Sequence, residues 1–126
     1  MRAVDTNVLV RLLARDDAKQ LAAAEDFVQT GAWISHLVLM EAVWVMDSVY
    51  NVEPEQIGNG IEMLLDHKYM VVQDADVVKA AVAQYRKHSG LGFSDCLILE
   101  VARAAGHVPL GTFDRGLGKL QGAQKL

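Results

Sequence analysis

One cysteine among 126 residues, Cys96, leaves no partner for an internal disulfide, and a reducing, cytoplasmic setting is the expectation. No apolar stretch reaches the roughly 18 residues that a membrane helix needs. The N-terminus shows no basic segment leading into a long apolar run, so no secretory signal is read there. Repeats, low-complexity tracts and linkers are missing, and the length suits a single domain over residues 1–126 with a real core. A basic surplus is missing too. Twelve Lys and Arg against sixteen Asp and Glu leave a net charge of −4, which argues against a plain polyanion binder. The four histidines, at 36, 67, 88 and 107, have no ligand spacing and Cys96 stands alone, so zinc is not expected. There is no Gly-x-Ser-x-Gly elbow and no glycine loop ahead of a Lys-Ser/Thr pair. The glycines at 90 and 92 read as a turn.

What is present is an apolar share of 52%, slightly high for a soluble monomer, as when a partner covers some of the surface. The charge is also segregated. Residues 16–78 hold twelve acids and two bases, residues 1–15 three bases and one acid, and residues 79–126 seven bases and three acids. Basic termini flank an acidic middle, and if the ends meet they present a basic face to a polyanion.

The pattern predicts short apolar strands at Arg2–Val4, Ala32–Ser35, Tyr69–Val72 and Val108–Gly111. Helices are predicted over Asn7–Leu13, from Asp16 or Asp17 to about Val28, over His36–Val49, from Pro54 to Leu65, from about Asp74 to Lys87, and over Ser94–Ala105. A short helix follows Asp114. Alternation of this kind implies an α/β fold, a parallel sheet covered by helices on both faces in three layers. Ligand sites in such sheets gather at the carboxyl ends of the strands.

Three acids take positions there. Asp5 ends the first strand, Asp95 opens the helix before the last strand, and Asp114 in "TFDRG" lies just past that strand. Alone, each reads as a turn or cap residue. The fourth is Glu41, in "SHLVLMEAVWVMDSVY". It is the one residue that is not apolar between Leu37 and Met46, on a helix expected to be buried nearly all round. No Lys or Arg lies within a helical turn of it, so compensation must come from elsewhere, and a divalent cation would supply it. Oxygen-only carboxylate ligands suit Mg²⁺ or Mn²⁺ and point to phosphoryl transfer. Glu100 lies five residues beyond Asp95, about 500° around a helix. It reads as a solvated acid able to pair with Arg103.

"VDTNVLVRLL", the Glu in "SHLVLMEAVWVM", "FSDCLILEVARAAG" and "GTFDRGL", in this order along almost the whole chain, resemble a PIN domain, and within it the VapC toxins of bacterial toxin–antitoxin pairs. The resemblance implies a metal-dependent endoribonuclease with Asp5, Glu41, Asp95 and Asp114 at an Mg²⁺ or Mn²⁺ site. It implies polar support from Asn7 or Thr112, with Ser35 either a further support or simply a helix cap. It also implies an RNA substrate, a homodimer and a small antitoxin partner. Arg11, Arg15, Arg86, Lys87, Arg103, Arg115 and Lys119 are candidates for the RNA backbone. An apolar groove near Trp33, Met40, Trp44, Met46, Tyr50 and Met63 could take a partner helix. Two other classes compete. An aspartyl-nucleophile phosphatase usually has a second Asp two residues after the first, where this chain has Asn7. A non-catalytic binding module of the same fold would have a degenerate site, whereas all four acids are present.

Overall fold

Asp5 begins the first helix, and its side chain shows why the strand stops there. In the computed structural model, which describes all residues Met1–Leu126, its carboxylate Oδ1 accepts from the Val8 amide at 3.0 Å. Helix α1 then runs over Thr6–Ala14. Asp17 caps α2 (Ala18–Val28) in the same way through the Gln20 amide. After β1 (Ala32–Ile34), Ser35 caps α3 (His36–Ser48) by accepting from the Val38 amide at 3.1 Å. Pro54 occupies the first turn of α4 (Pro54–Asp66), where its missing N–H costs nothing. Strand β2 is Met70–Val72.

The chain divides into two compact units, Met1–Ala75 and Asp76–Leu126. In the first, β1 and β2 pair in parallel, Ala32 opposite Met70 and Ile34 opposite Val72. The expected first strand contracts to a single parallel bridge, Ala3 to Trp33, with the Trp33 amide donating to the Arg2 carbonyl at 2.8 Å. Ala32, Ile34, Met70 and Val72 are buried, while Trp33 and Val71 are 36% and 43% exposed. The sheet is therefore covered on one face in this alternation, not on both. Leu9, Leu39, Ile57 and Ile61 complete the core under α1, α3 and α4.

The second unit follows α5 (Ala75–Lys87) with α6 (Phe93–Ala104), β3 (Leu110–Thr112), a 3-10 turn at Leu117–Lys119 and β4 (Ala123–Lys125). Strand β4 pairs in parallel with β3, Leu110 opposite Ala123, and no apolar pattern announces it. One continuous sheet was the expectation. The structure instead has two parallel pairs of three-residue strands, one in each unit. Gly118 packs so tightly on β4 that an added Cβ would come within 2.7 Å of the Lys125 side chain. No helix is long and apolar enough to cross a membrane.

Helix α6 corrects one reading. Its buried positions are Phe93, Cys96, Leu97, Leu99 and Glu100, whereas Ile98 and Val101 lie 44% and 40% exposed. Glu100 lies on the buried arc among these apolar residues. Arg103 Nε donates to Glu100 Oε1 at 3.1 Å, and the same guanidinium bonds the Gln121 carbonyl. Glu100 is thus a buried ion-pair acid, not a solvated one, although its partner is the Arg103 its spacing suggested.

Candidate metal centre

Glu41 is exposed, not buried. Helix α3 is apolar on most sides, yet α1 and α4 cover only part of it. Leu39 and Ala42 face inward, and Leu37 and Trp44, one turn either side of Glu41, lie 74% and 64% exposed. The carboxylate therefore needs no compensation for burial. It does have a partner from elsewhere, because Thr6 Oγ1 donates to Glu41 Oε2 at 3.2 Å. Thr6 is the first residue of α1 and follows Asp5 directly. One hydroxyl thus ties the helix bearing Glu41 to the helix that Asp5 caps. Asp5 Oδ1 accepts from the Val8 amide, which leaves Oδ2 for a ligand. Asn7 is exposed and lines, with Asp5, Val8, Arg11, Gln20 and Phe27, a pocket of about 370 Å³ between α1 and α2.

The second unit brings Asp95 and Asp114 together. Burial pushes the Asp95 carboxyl above its ordinary value, and the neighbouring Asp114 charge pushes it further. Asp114 is fixed on three sides. Its amide donates to Thr112 Oγ1 at 3.0 Å, its Oδ1 accepts from the Leu117 amide at 2.8 Å, and its carbonyl accepts from the Gly118 amide at 3.0 Å. Thr112 thereby holds the loop that presents Asp114. Ser35 is occupied as the α3 cap.

The expected acids thus come as two pairs, one in each unit, and no three His, Cys, Asp or Glu side chains converge on a common point by themselves. Within each pair the donors suit a hard divalent cation. They are all oxygens, and in the second unit a positive charge beside Asp95 and Asp114 would relieve the push of one on the other. Cys96 next door does not compete. It is fully buried, and its thiol is pushed up to about 11, by burial first and then by Asp95 and Glu100.

Two residues escaped the sequence reading. Thr6 was readable beside Asp5 as a hydroxyl in the helix's first turn. Gln73, whose Oε1 accepts from the His36 amide at 2.9 Å and so braces the start of α3, has no such signal. Two candidate RNA contacts are committed within the fold. Arg11 bonds Asp16, Gln20 and Tyr50, and Arg103 holds Glu100. Arg15, in a surface pair with Glu25, stays exposed, as do Lys87, Arg115 and Lys119.

The comparisons with known proteins agree on one family. The PIN domain profile matches residues 2–123. A VapC ribonuclease of Aquifex aeolicus (strain VF5) is 27% identical over 125 residues, covering 95% of this chain and 92% of that protein. No solved structure matches. With "VDTN", the Glu of α3, "FSDC" and "TFDRG" inside one match that spans nearly the whole sequence, the chain belongs to the PIN domain family.

Proposed function

We propose that residues 1–126 work as one PIN domain, an endoribonuclease dependent on Mg²⁺ or Mn²⁺ and the toxin half of a toxin–antitoxin pair in the cytoplasm. The observation that carries this reading is the family match over residues 2–123. Asp5, Glu41, Asp95 and Asp114 would hold the metal. When bound, it supplies an activated water and neutralises charge on the phosphate. The chain's own part is positioning. Thr6 orients Glu41, Thr112 and the Leu117 amide fix Asp114, and the exposed cations Arg115 and Lys119 meet the RNA backbone. The relative from Aquifex aeolicus is named a VapC ribonuclease, which supports RNA as the substrate; the antitoxin partner rests on the resemblance to VapC toxins. An apolar cleft of about 370 Å³ among α1, α3 and α4, lined by Leu39, Val43, Met46 and Ile61, has the character of a seat for a partner's amphipathic helix. Exposed Leu37, Trp44 and Met63 are apolar surface for a partner or a homodimer to cover.

The test is cleavage of a mixed cellular RNA pool by the purified chain with Mn²⁺, with Mg²⁺ and with EDTA, each beside Asp5→Asn. Metal-dependent cutting that falls on the order of 10²-fold or more in Asp5→Asn supports the assignment. An Asp5→Asn protein that cuts at the parental rate overturns it. Metal binding with no turnover on any RNA favours a binding module of the same fold.

A further inference from the structure

The most exposed large apolar side chain in the molecule is Phe113, with 82% of its surface in water. A lone exposed apolar residue is ordinary on a protein surface. Its place here is not. Phe113 stands between Thr112 and Asp114, and exposed Arg115 follows. The other two aromatics of its unit behave differently, since Phe93 is 2% exposed and meets Tyr85 edge-on at 6.0 Å. The segment carrying Phe113 is pinned at both ends. On one side β3 pairs with β4. On the other, Asp114 is held by Thr112 Oγ1, the Leu117 amide and the Gly118 amide. A rigid segment therefore holds a phenyl ring in open water beside a candidate metal-site acid and a cation. Neighbouring Cα atoms are about 3.8 Å apart, so ring and carboxylate lie within the span of one nucleotide.

Resting on the ribonuclease reading above, we infer that Phe113 is a stacking platform for an unpaired RNA base next to the phosphate that is cut. A flat aromatic face takes any base by stacking, whatever its sequence. It takes no base whose two faces are already covered in a helix. Arg115 supplies the phosphate contact that such platforms are paired with. The unit from Asp76 to Leu126, with seven bases against four acids, has the positive balance that a bound strand requires. The platform makes the protein a reader of single-stranded segments and leaves sequence preference to other residues.

Binding, not cleavage, tests this. Fluorescence anisotropy of a short, labelled, mixed-sequence single-stranded oligoribonucleotide would be recorded on the metal-free chain, beside the same strand annealed to its complement. Phe113→Ala should weaken single-strand binding about tenfold, Phe113→Trp should restore it, and duplex binding should not change. Single-strand binding by Phe113→Ala within about twofold of the parent overturns the inference, as does equal loss on single strand and duplex. A shift in self-association on sedimentation with RNA binding unchanged also overturns it, by making the ring a protein contact. Because this readout needs no turnover, a chain that binds as expected yet cuts nothing would fail the ribonuclease reading alone.

Discussion

Asp95 has its carboxyl raised by burial and then by Asp114. The native state therefore holds that proton more tightly than the unfolded chain, and stability must fall as pH climbs through and above 3.8, the ordinary value. Asp95→Asn removes the term. The metal-free variant should melt about 1–3 °C higher than the parent near pH 7, and the gap should close near pH 3. A calorimetric scan at both pH values decides it, and a lower melting temperature at pH 7 would mean that Asp95 has a structural partner. Thr6 acts on the other pair. Its hydroxyl donates to Glu41 Oε2 at 3.2 Å, and on the proposed metal site it would orient that carboxylate without being a ligand itself. Thr6→Val should lower metal affinity or activity about tenfold with little change in melting temperature, and Thr6→Ser should keep both. A Thr6→Val enzyme with unchanged Mn²⁺ dependence would remove Thr6 from the site.

Among the elements, the ends of α1, α2 and α3 meet in a polar knot. Tyr50 donates to Asp16 Oδ2 at 2.9 Å, and Arg11 reaches Asp16, Tyr50 and Gln20. The Tyr50 hydroxyl is the first cause of the Asp16 carboxyl lying below its ordinary 3.8. A lowered acid contributes stability above its unfolded value and loses it as pH falls through the folded one. Tyr50→Phe should therefore melt lower at neutral pH, with the difference vanishing below the folded Asp16 value, itself under 3.8. A difference that persists at pH 2 would assign the loss to packing. Elements of this kind were legible because their signals are local. Asp17, Ser35 and Pro54 mark helix starts, and Gly106, at φ +84°, follows the end of α6. What failed depends on neighbours far away in sequence. The exposure of Glu41 was illegible because α3 is apolar on nearly every side and the pattern does not say which face α1 and α4 leave open. The Arg103 partner of Glu100 was legible at i+3, but the burial of the pair was not, because the Gln121 carbonyl that holds the same guanidinium lies far along the chain. Strand β4 was missed because "AQK" carries no apolar alternation. The four acids are a set that the sequence proposes from residue types and order, and the bond from the Thr6 hydroxyl to Glu41 shows only in three dimensions.

At the scale of the whole molecule the charge is unevenly divided. Residues 1–75 hold twelve acids against five bases, a net of −7, and residues 76–126 hold four acids against seven bases, a net of +3. On the ribonuclease reading proposed above, carboxylates that repel a polyanion stand where its phosphate is cut, and a bound cation would offset that repulsion. That offset gives a prediction independent of turnover. A ligand bound by the folded state alone stabilises it by about 2.7 kcal/mol at a hundredfold excess over Kd, which is several degrees in melting temperature for a chain of this size. Titration with Mg²⁺ or Mn²⁺ should raise the melting temperature of the parent in a saturable way, and NaCl at matched ionic strength should not reproduce it. The double variant Asp5→Asn with Asp95→Asn removes one acid from each pair and should lose the saturable rise. If the double variant is stabilised as strongly as the parent, the cations are meeting the general acidic surface of residues 1–75 and not the two carboxylate pairs.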